Sequence, residues 1–254
     1  MTALLEVKDV SVRFGGLMAL KDISLAVSAG EVLSVIGPNG AGKTTLFNVI
    51  TGRVRPTTGE VRFRGEAIHQ MPAFRIAQMG VVRTFQKTEV FGVLPLVEGV
   101  LAGALARGDA DPEARAREAL EAVGLAAKMH FRADQLSYGD QRLLEIAQAL
   151  AANPTVLLLD EPASGMNHQE SAQIVRLIGA LRTRGFAIVL VEHNMHVVMS
   201  ISDRVIVLNY GEKIAEGSPE AVRADRNVIE AYLGVPHADA PQDTDKDTAN
   251  AGAP

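Results

Sequence analysis

"EVLSVIGPNGAGKTTLFNVI", Glu31 to Ile50, is the stretch whose reading decides the fold. "EVLSVIG" is a short apolar run that stops at a glycine, the profile of a buried strand. A glycine-rich turn follows, and then a helix over about residues 42–52. From Gly37 through Pro38, Asn39, Gly40, Ala41 and Gly42 to Lys43, Thr44 and Thr45, the spacing is Gly-x-x-x-x-Gly-Lys-Thr. The glycines let successive backbone N–H groups curl around a phosphate. Lys43 supplies a point charge to β- and γ-phosphate oxygens, and Thr44 offers a hydroxyl to Mg2+. Strand, turn and helix in that order are the context that confirms a P-loop.

A second strand ending in carboxylates belongs beside this one, and "TVLLLDEP" supplies it. Asp160 stands at the strand end, placed to hold Mg2+ through water. Glu161, one step on, can polarise an attacking water as general base. Upstream, "LLEVKDVSVRF", "KDISLAVSAG" and "GEVRFRG" alternate apolar and polar residues between glycines, as half-buried strands do. From about Phe91 to Asn153 the pattern is helical. Asp111-Pro112-Glu113 reads as an N-cap with proline at N1 and an acidic first turn, and Gly124 as a stop. Beyond "TVLLLD" come a helix from Gln169 to Arg184, the strand "FAIVLVEH", a short helix to Ser200, and a hairpin turning at Gly211. The expected fold is α/β: a P-loop NTPase (RecA-like) with a mostly parallel sheet, an N-terminal antiparallel β piece and a helical subdomain insertion.

Composition bounds the rest. Apolar residues make up 47% of 254, net charge is −5 and Cys is absent. Disulfides, Cys-ligated zinc and thiol catalysis are excluded, and a reducing compartment fits. The acidic balance gives no footprint for nucleic acid. No apolar run approaches the ~20 residues needed to span a bilayer. The N-terminus has neither the basic nor the apolar region of a signal peptide. The expectation is a cytosolic protein that meets a membrane only through a partner. The segment 237–254 has no periodicity and almost no large apolar residues, and reads as a flexible tail.

Gly37–Thr45, Gln86 in "RTFQK", "LSYGDQ", "LLLDEP" and His193 in "VLVEHNM" occur in the order and rough spacing of ATP-binding-cassette (ABC) ATPases, which the chain resembles over about residues 4–234. "RFGGLMALKDISL", "EPASGMN" and the run ending "IEAYLG" are similar to ATPase subunits of branched-chain or hydrophobic amino-acid importers. The run ending "IEAYLG" also occurs in urea and amide importers and in the lipopolysaccharide-export ATPase. The resemblance implies an ABC ATPase domain over 1–236, with the core in 1–90 and 154–236 and the helical subdomain in about 91–153. It implies ATP and Mg2+ as cofactors. By the same resemblance Phe14 would stack on adenine, the alternative being a core residue of the N-terminal sheet; Gln86 would ligate Mg2+ or water at the hinge; and His193 would contact the γ-phosphate and hold Glu161, the alternative being a solvated loop histidine. Phe91, Val93, Leu94, Leu96 and Val97 lie beside the groove that receives a helix of the membrane subunit, or pack the helical insertion.

The resemblance also answers what a second anion-binding turn, "LSYGDQRLLEIAQAL" from Leu136 to Leu150, is for. Ser137, Tyr138 and Gly139 close over ATP held by a facing subunit, and the helix behind them adds its positive end. Asp140 replaces the usual Gln; with Ser137 it has the spacing of a capping box, which would use the hydroxyl internally. Asn167 replaces a frequent Asp in the loop that crosses to the facing subunit. The implied partners are a second ABC ATPase subunit, identical or paralogous, membrane permease subunits and, indirectly, a solute-binding protein, with the chain peripheral on the cytoplasmic face of the inner membrane. The alternatives are a urea or amide importer, a lipopolysaccharide exporter, and a non-transport ABC ATPase.

Overall fold

The computed structural model describes residues 3–84, 94–108 and 110–233. β1 (Ala3–Phe14) and β2 (Leu17–Ser28) pair antiparallel at the start of the chain. β3 (Val32–Ile36) runs through the glycine turn into α1 (Lys43–Ile50). β4 (Thr58–Phe63), β5 (Glu66–Ala67), α2 (Ala73–Met79) and β6 (Val81–Arg83) follow. Then come α3 (Leu96–Arg107), α4 (Pro112–Ala122) and α5 (Tyr138–Ala151). β7 (Val156–Asp160), α6 (His168–Thr183), β8 (Ala187–Val191) and α7 (Met195–Ile201) restore the strand–helix alternation. β9 (Arg204–Asn209) and β10 (Glu212–Gly217) form a hairpin ahead of α8 (Pro219–Ala224) and α9 (Arg226–Leu233).

Two sheets organise these elements. One is antiparallel, in the order β2-β1-β4-β5; the other runs β10-β9-β3-β8-β7-β6. In the second sheet only the β9–β10 pair is antiparallel. Register places Val35 beside Val191 and Asp160 beside Val191. The carboxyl ends of β3, β7 and β8 therefore share one edge, where open α/β sheets bind ligands.

The apolar run in β7 is unbroken because both of its faces are covered. Val156 and Leu158 join a core with Val7, Leu25 and Phe47 from the antiparallel sheet and α1. Leu157 and Leu159 face the other way, into a core with Leu144, Ile174 and Ile178 from α5 and α6. Asp111 caps α4 as its sequence predicts, its Oδ1 accepting from the Ala114 N–H at 3.0 Å. Leu143, Leu144, Ala147 and Leu150, the predicted apolar stripe of α5, are all buried.

Differences from the sequence reading sit at element ends. β2 starts at Leu17 rather than Lys21, because the hairpin pairs Phe14 with Leu17 at its very tip. α6 begins one residue before Gln169, directly after its cap Asn167. The short β5, α2 and β6 carry too little periodicity to be read from sequence. Phe91 and Val93, Gln86 and the tail 237–254 lie outside the described residues, whereas Leu94 is described and Leu96 and Val97 begin α3.

Helix α5 carries the Ser137 turn, so its seat on α3 matters for function. At Gly103 the two helices approach so closely that a Cβ would stand 2.6 Å from the backbone oxygen of Gln148. Gly103→Ala gains about 1 kcal/mol of helix propensity but forces an overpacked contact costing about 1–3 kcal/mol. The expected outcome is a net loss of stability in urea unfolding; a stabilised variant would contradict this packing.

Candidate functional site

The glycine turn is held open by a neighbour. A Cβ on Gly37, whose φ is +148°, would fall 2.1 Å from the Leu208 carbonyl oxygen on β9. Only glycine lets the turn lie flat on that strand. The Gly211 N–H of the β9–β10 hairpin donates to the Ala41 oxygen at 3.1 Å, tying the turn down a second time. Lys43 curls back over it, donating to the carbonyls of Gly37 (2.7 Å) and Pro38 (2.9 Å). Burial lowers the Lys43 pKa, and the carboxylates of Glu161 and Asp160 oppose that shift.

A cavity of about 470 Å3 opens over this turn, lined by Phe14, Leu17, Met18, Ala19, Asn39 through Thr45, Glu161, Tyr210 and Gly211. The structure thus brings Phe14, most of the P-loop and Glu161 to one place, although Gly37 and Pro38 are not among the lining residues. Glu161 occupies left-handed backbone, φ 49°, unusual for a residue with a side chain. Its N–H donates to the Val191 oxygen at 2.8 Å, which pins it to β8. His193 stands beside it, Nδ1 to Oε2 at 3.9 Å, too long for a hydrogen bond.

Asp160, at the end of β7, is almost fully buried. Its Oδ2 accepts from Arg83 Nη2 at 2.6 Å, and the same guanidinium donates to Asn48 Oδ1 at 2.7 Å. Oδ1 of Asp160 is buried with no hydrogen-bond partner. An orphaned buried carboxylate oxygen is costly unless something polar meets it. Asp160 and the Thr44 hydroxyl are the groups that would hold a hydrated Mg2+, and the unpartnered carboxylate oxygen is in keeping with that role.

The Ser137 turn has a different setting. Ser137 Oγ accepts from the Asp140 N–H at 3.2 Å, so the hydroxyl caps its own helix. The reciprocal half of the expected capping box is replaced: the Asp140 carboxylate pairs instead with Lys128. Tyr138 turns its hydroxyl away, donating to the Ser164 oxygen at 3.0 Å and accepting from Arg142 at 2.8 Å. Asn167 caps α6 in a complete box, accepting from the Glu170 N–H at 3.0 Å while Glu170 Oε2 accepts from the Asn167 N–H at 2.9 Å. Through Tyr138 and Ser164, the Ser137 and Asn167 turns form one linked unit. No residue of either turn lines the cavity.

Comparison with known proteins agrees with this architecture. A family model described as ABC transporter matches residues 20–164, and one described as branched-chain amino acid ATP-binding cassette transporter matches residues 212–238. The chain is 41% identical to the high-affinity branched-chain amino acid transport ATP-binding protein LivG of Escherichia coli, over 91% of this chain and 98% of the relative. The chain belongs to the ABC transporter ATP-binding family.

BraF of Pseudomonas aeruginosa, named for the same transport, is also 41% identical, and the lipopolysaccharide export ATP-binding protein LptB of Haemophilus influenzae 34%. Among solved structures, an ATP-binding cassette of an ABC transporter in its ADP conformation superposes with a TM-score of 0.86 at 30% identity, covering 92% of this chain and all of that one. A dimeric cassette bound to ADP and Pi gives 0.75 at 28% identity, over 85% of this chain and 98% of that one.

The site of this ABC protein includes residues the sequence reading left unassigned. Glu192, fully buried, accepts from the N–H groups of Ala163 (2.8 Å), His193 (3.1 Å) and Asn194 (3.2 Å). It staples the loop after Glu161 to the loop carrying His193. An acid directly after the apolar run of β8 is the same signal that marked Asp160. Arg83 and Tyr210 had weaker signals: a cation in a three-residue strand, and an aromatic where a hairpin prefers Asn.

If Lys43 serves phosphate rather than its own turn, its loss should remove binding without unfolding the chain. Lys43→Met is expected to weaken ADP at least ~10-fold by calorimetric titration, with an unchanged circular dichroism spectrum. Retained affinity would remove Lys43 from the phosphate site.

Proposed function

We propose that this chain is the ATP-hydrolysing subunit of an ABC importer and works as one half of a closing pair. The observation that carries this reading is the separation of two anion-binding turns. The cavity gathers Phe14, the P-loop and Glu161, while Ser137, Tyr138, Gly139, Asp140 and Asn167 contribute nothing to it. A second copy, identical or paralogous, placed face to face would bring each Ser137–Gly139 turn over the other's nucleotide.

In this reading adenine lies against Phe14, and the P-loop amides from Asn39 to Thr45 wrap the phosphates. Lys43 exchanges the Gly37 and Pro38 carbonyls for phosphate oxygens. Glu161 orients the attacking water and takes its proton as the water oxygen bonds to the γ-phosphorus and the bond to the β-phosphate oxygen breaks. His193 steadies the Glu161 carboxylate and the γ-phosphate; Glu192 fixes the distance between their loops. Thr44 and Asp160, the latter through water, with Gln86, would hold Mg2+, which supplies charge neutralisation on the β- and γ-oxygens when bound. Lys128 neutralises Asp140, so a carboxylate at the closing turn does not confront the γ-phosphate bare.

Branched-chain or other hydrophobic amino acids are the proposed cargo. Support comes from the LivG and BraF likenesses and from the family match at residues 212–238. The identity to the lipopolysaccharide-export relative is lower, which favours import. Among the described residues no helix is long and apolar enough to cross a membrane. Attachment at the cytoplasmic face would then run through permease subunits, which a solute-binding protein serves from the other side.

Glu161→Gln is expected to bind ATP, accumulate as a dimer in sedimentation and lose about 10²–10⁴ in turnover. Hydrolysis near the parent rate would contradict the assignment of the base.

A further inference from the structure

Among the described residues the Tyr210 side chain has no partner. It is 87% exposed, the most exposed of the large hydrophobic side chains among the described residues, and it makes no hydrogen bond or ring contact with them. It nevertheless sits on a hairpin tied to two other elements. The Lys21 N–H donates to the Gly211 oxygen at 2.8 Å, and the Gly211 N–H to the Ala41 oxygen at 3.1 Å. One bond anchors the hairpin to β2, the other to the P-loop. A Cβ on Gly211 would lie 2.7 Å from the Ala19 oxygen, so the turn is packed directly against β2.

The backbone makes the choice of tyrosine odder. Tyr210 and Gly211 have φ of 45° and 80°, the signs of a two-residue type I′ turn between Asn209 and Glu212. Such a turn prefers Asn at its first central position, because left-handed backbone is unfavourable for residues with bulky side chains. Tyr210 is therefore conformationally unfavourable, exposed, and without a contact that stabilises the fold. Residues held this way cluster where ligands bind.

Its location supplies the ligand. Tyr210 lines the same cavity as Phe14, so hairpin tips from two different sheets each present an exposed aromatic ring to one site. We infer that Tyr210 is a second aromatic wall of the nucleotide site, packing its ring against the nucleoside while the P-loop grips the phosphates. This rests on the nucleotide-site reading given above and adds a contact to it. The ring, not the hydroxyl, carries the effect, because stacking uses the π-face and tolerates any purine. The anchors to Ala41 and Lys21 hold the turn that carries Tyr210 beside the P-loop.

The test compares ligands with and without a base. ADP and inorganic pyrophosphate are titrated against the parent chain, Tyr210→Asn and Tyr210→Phe, pyrophosphate by displacement of a fluorescent ADP analogue. Asn is the better turn residue, so Tyr210→Asn should fold at least as well, and its thermal midpoint is measured alongside. The inference predicts that Tyr210→Asn weakens ADP at least about 5-fold, leaves pyrophosphate unchanged, and that Tyr210→Phe binds like the parent. Unchanged ADP affinity in Tyr210→Asn, or equal weakening of ADP and pyrophosphate, would overturn it. So would a variant that binds ADP normally but dimerises poorly with ATP, since that places the ring against the facing copy. A parent chain that fails to bind ADP would instead defeat the nucleotide-site reading itself.

Discussion

The close approach of the P-loop to the β9–β10 hairpin is the contact on which the site depends. Gly37 lies against the Leu208 oxygen with no room for a Cβ, and Gly211 donates to Ala41. These contacts fuse an antiparallel hairpin to a turn that would otherwise be a loose glycine loop. Preorganised amides act on an anion without first having to be ordered, which is why such rigidity is worth having at a phosphate site. The same hairpin carries Tyr210, and β9 pairs with β3, so one side of the cavity inherits the stiffness of the sheet.

Electrostatics on the other side are balanced rather than maximal. Asp160 is buried against Arg83, which also holds Asn48 of α1 and stands 5.3 Å from the Phe47 ring centroid. That pairing links the end of β7 to the helix behind the P-loop and leaves one carboxylate oxygen unpartnered. Glu192 does similar work with backbone donors, joining two loops that emerge from adjacent strands. Glu192 has donors on both oxygens, whereas Asp160 Oδ1 and Arg83 Nε are buried without partners.

Much of this was legible in the sequence, for local reasons. Gly-x-x-x-x-Gly-Lys-Thr after an apolar run specifies strand, turn and helix within one segment. Asp160 and Glu161 stood out because acids rarely end a fully apolar strand without cause. Asp111-Pro112 announced its helix by cap chemistry alone. What escaped was set by distant partners. Nothing near Glu192 says that Ala163 would donate to it, and Arg83 acquires its meaning only when β6 lies beside β7. Ser137 showed both possible uses of its hydroxyl in sequence; the isolated chain adopts the internal one, while Lys128, twelve residues upstream, takes the carboxylate that sequence spacing had assigned to the cap. Tyr210 looked like an ordinary hairpin residue until its φ and exposure were known.

The central claim is that each nucleotide is enclosed by two chains, the P-loop from one and the Ser137 turn from the other. Mixing two defective variants tests it most directly. Lys43→Met spoils only the cradle, and Ser137→Arg only the lid; each alone should be inactive as an ATPase. A mixed pair would hold one site made of the intact cradle and the intact lid. The account predicts that combining the two purified variants restores steady ATP hydrolysis, with a maximum near equal amounts. Mixtures as inactive as either variant alone, or full activity in Ser137→Arg by itself, would contradict it.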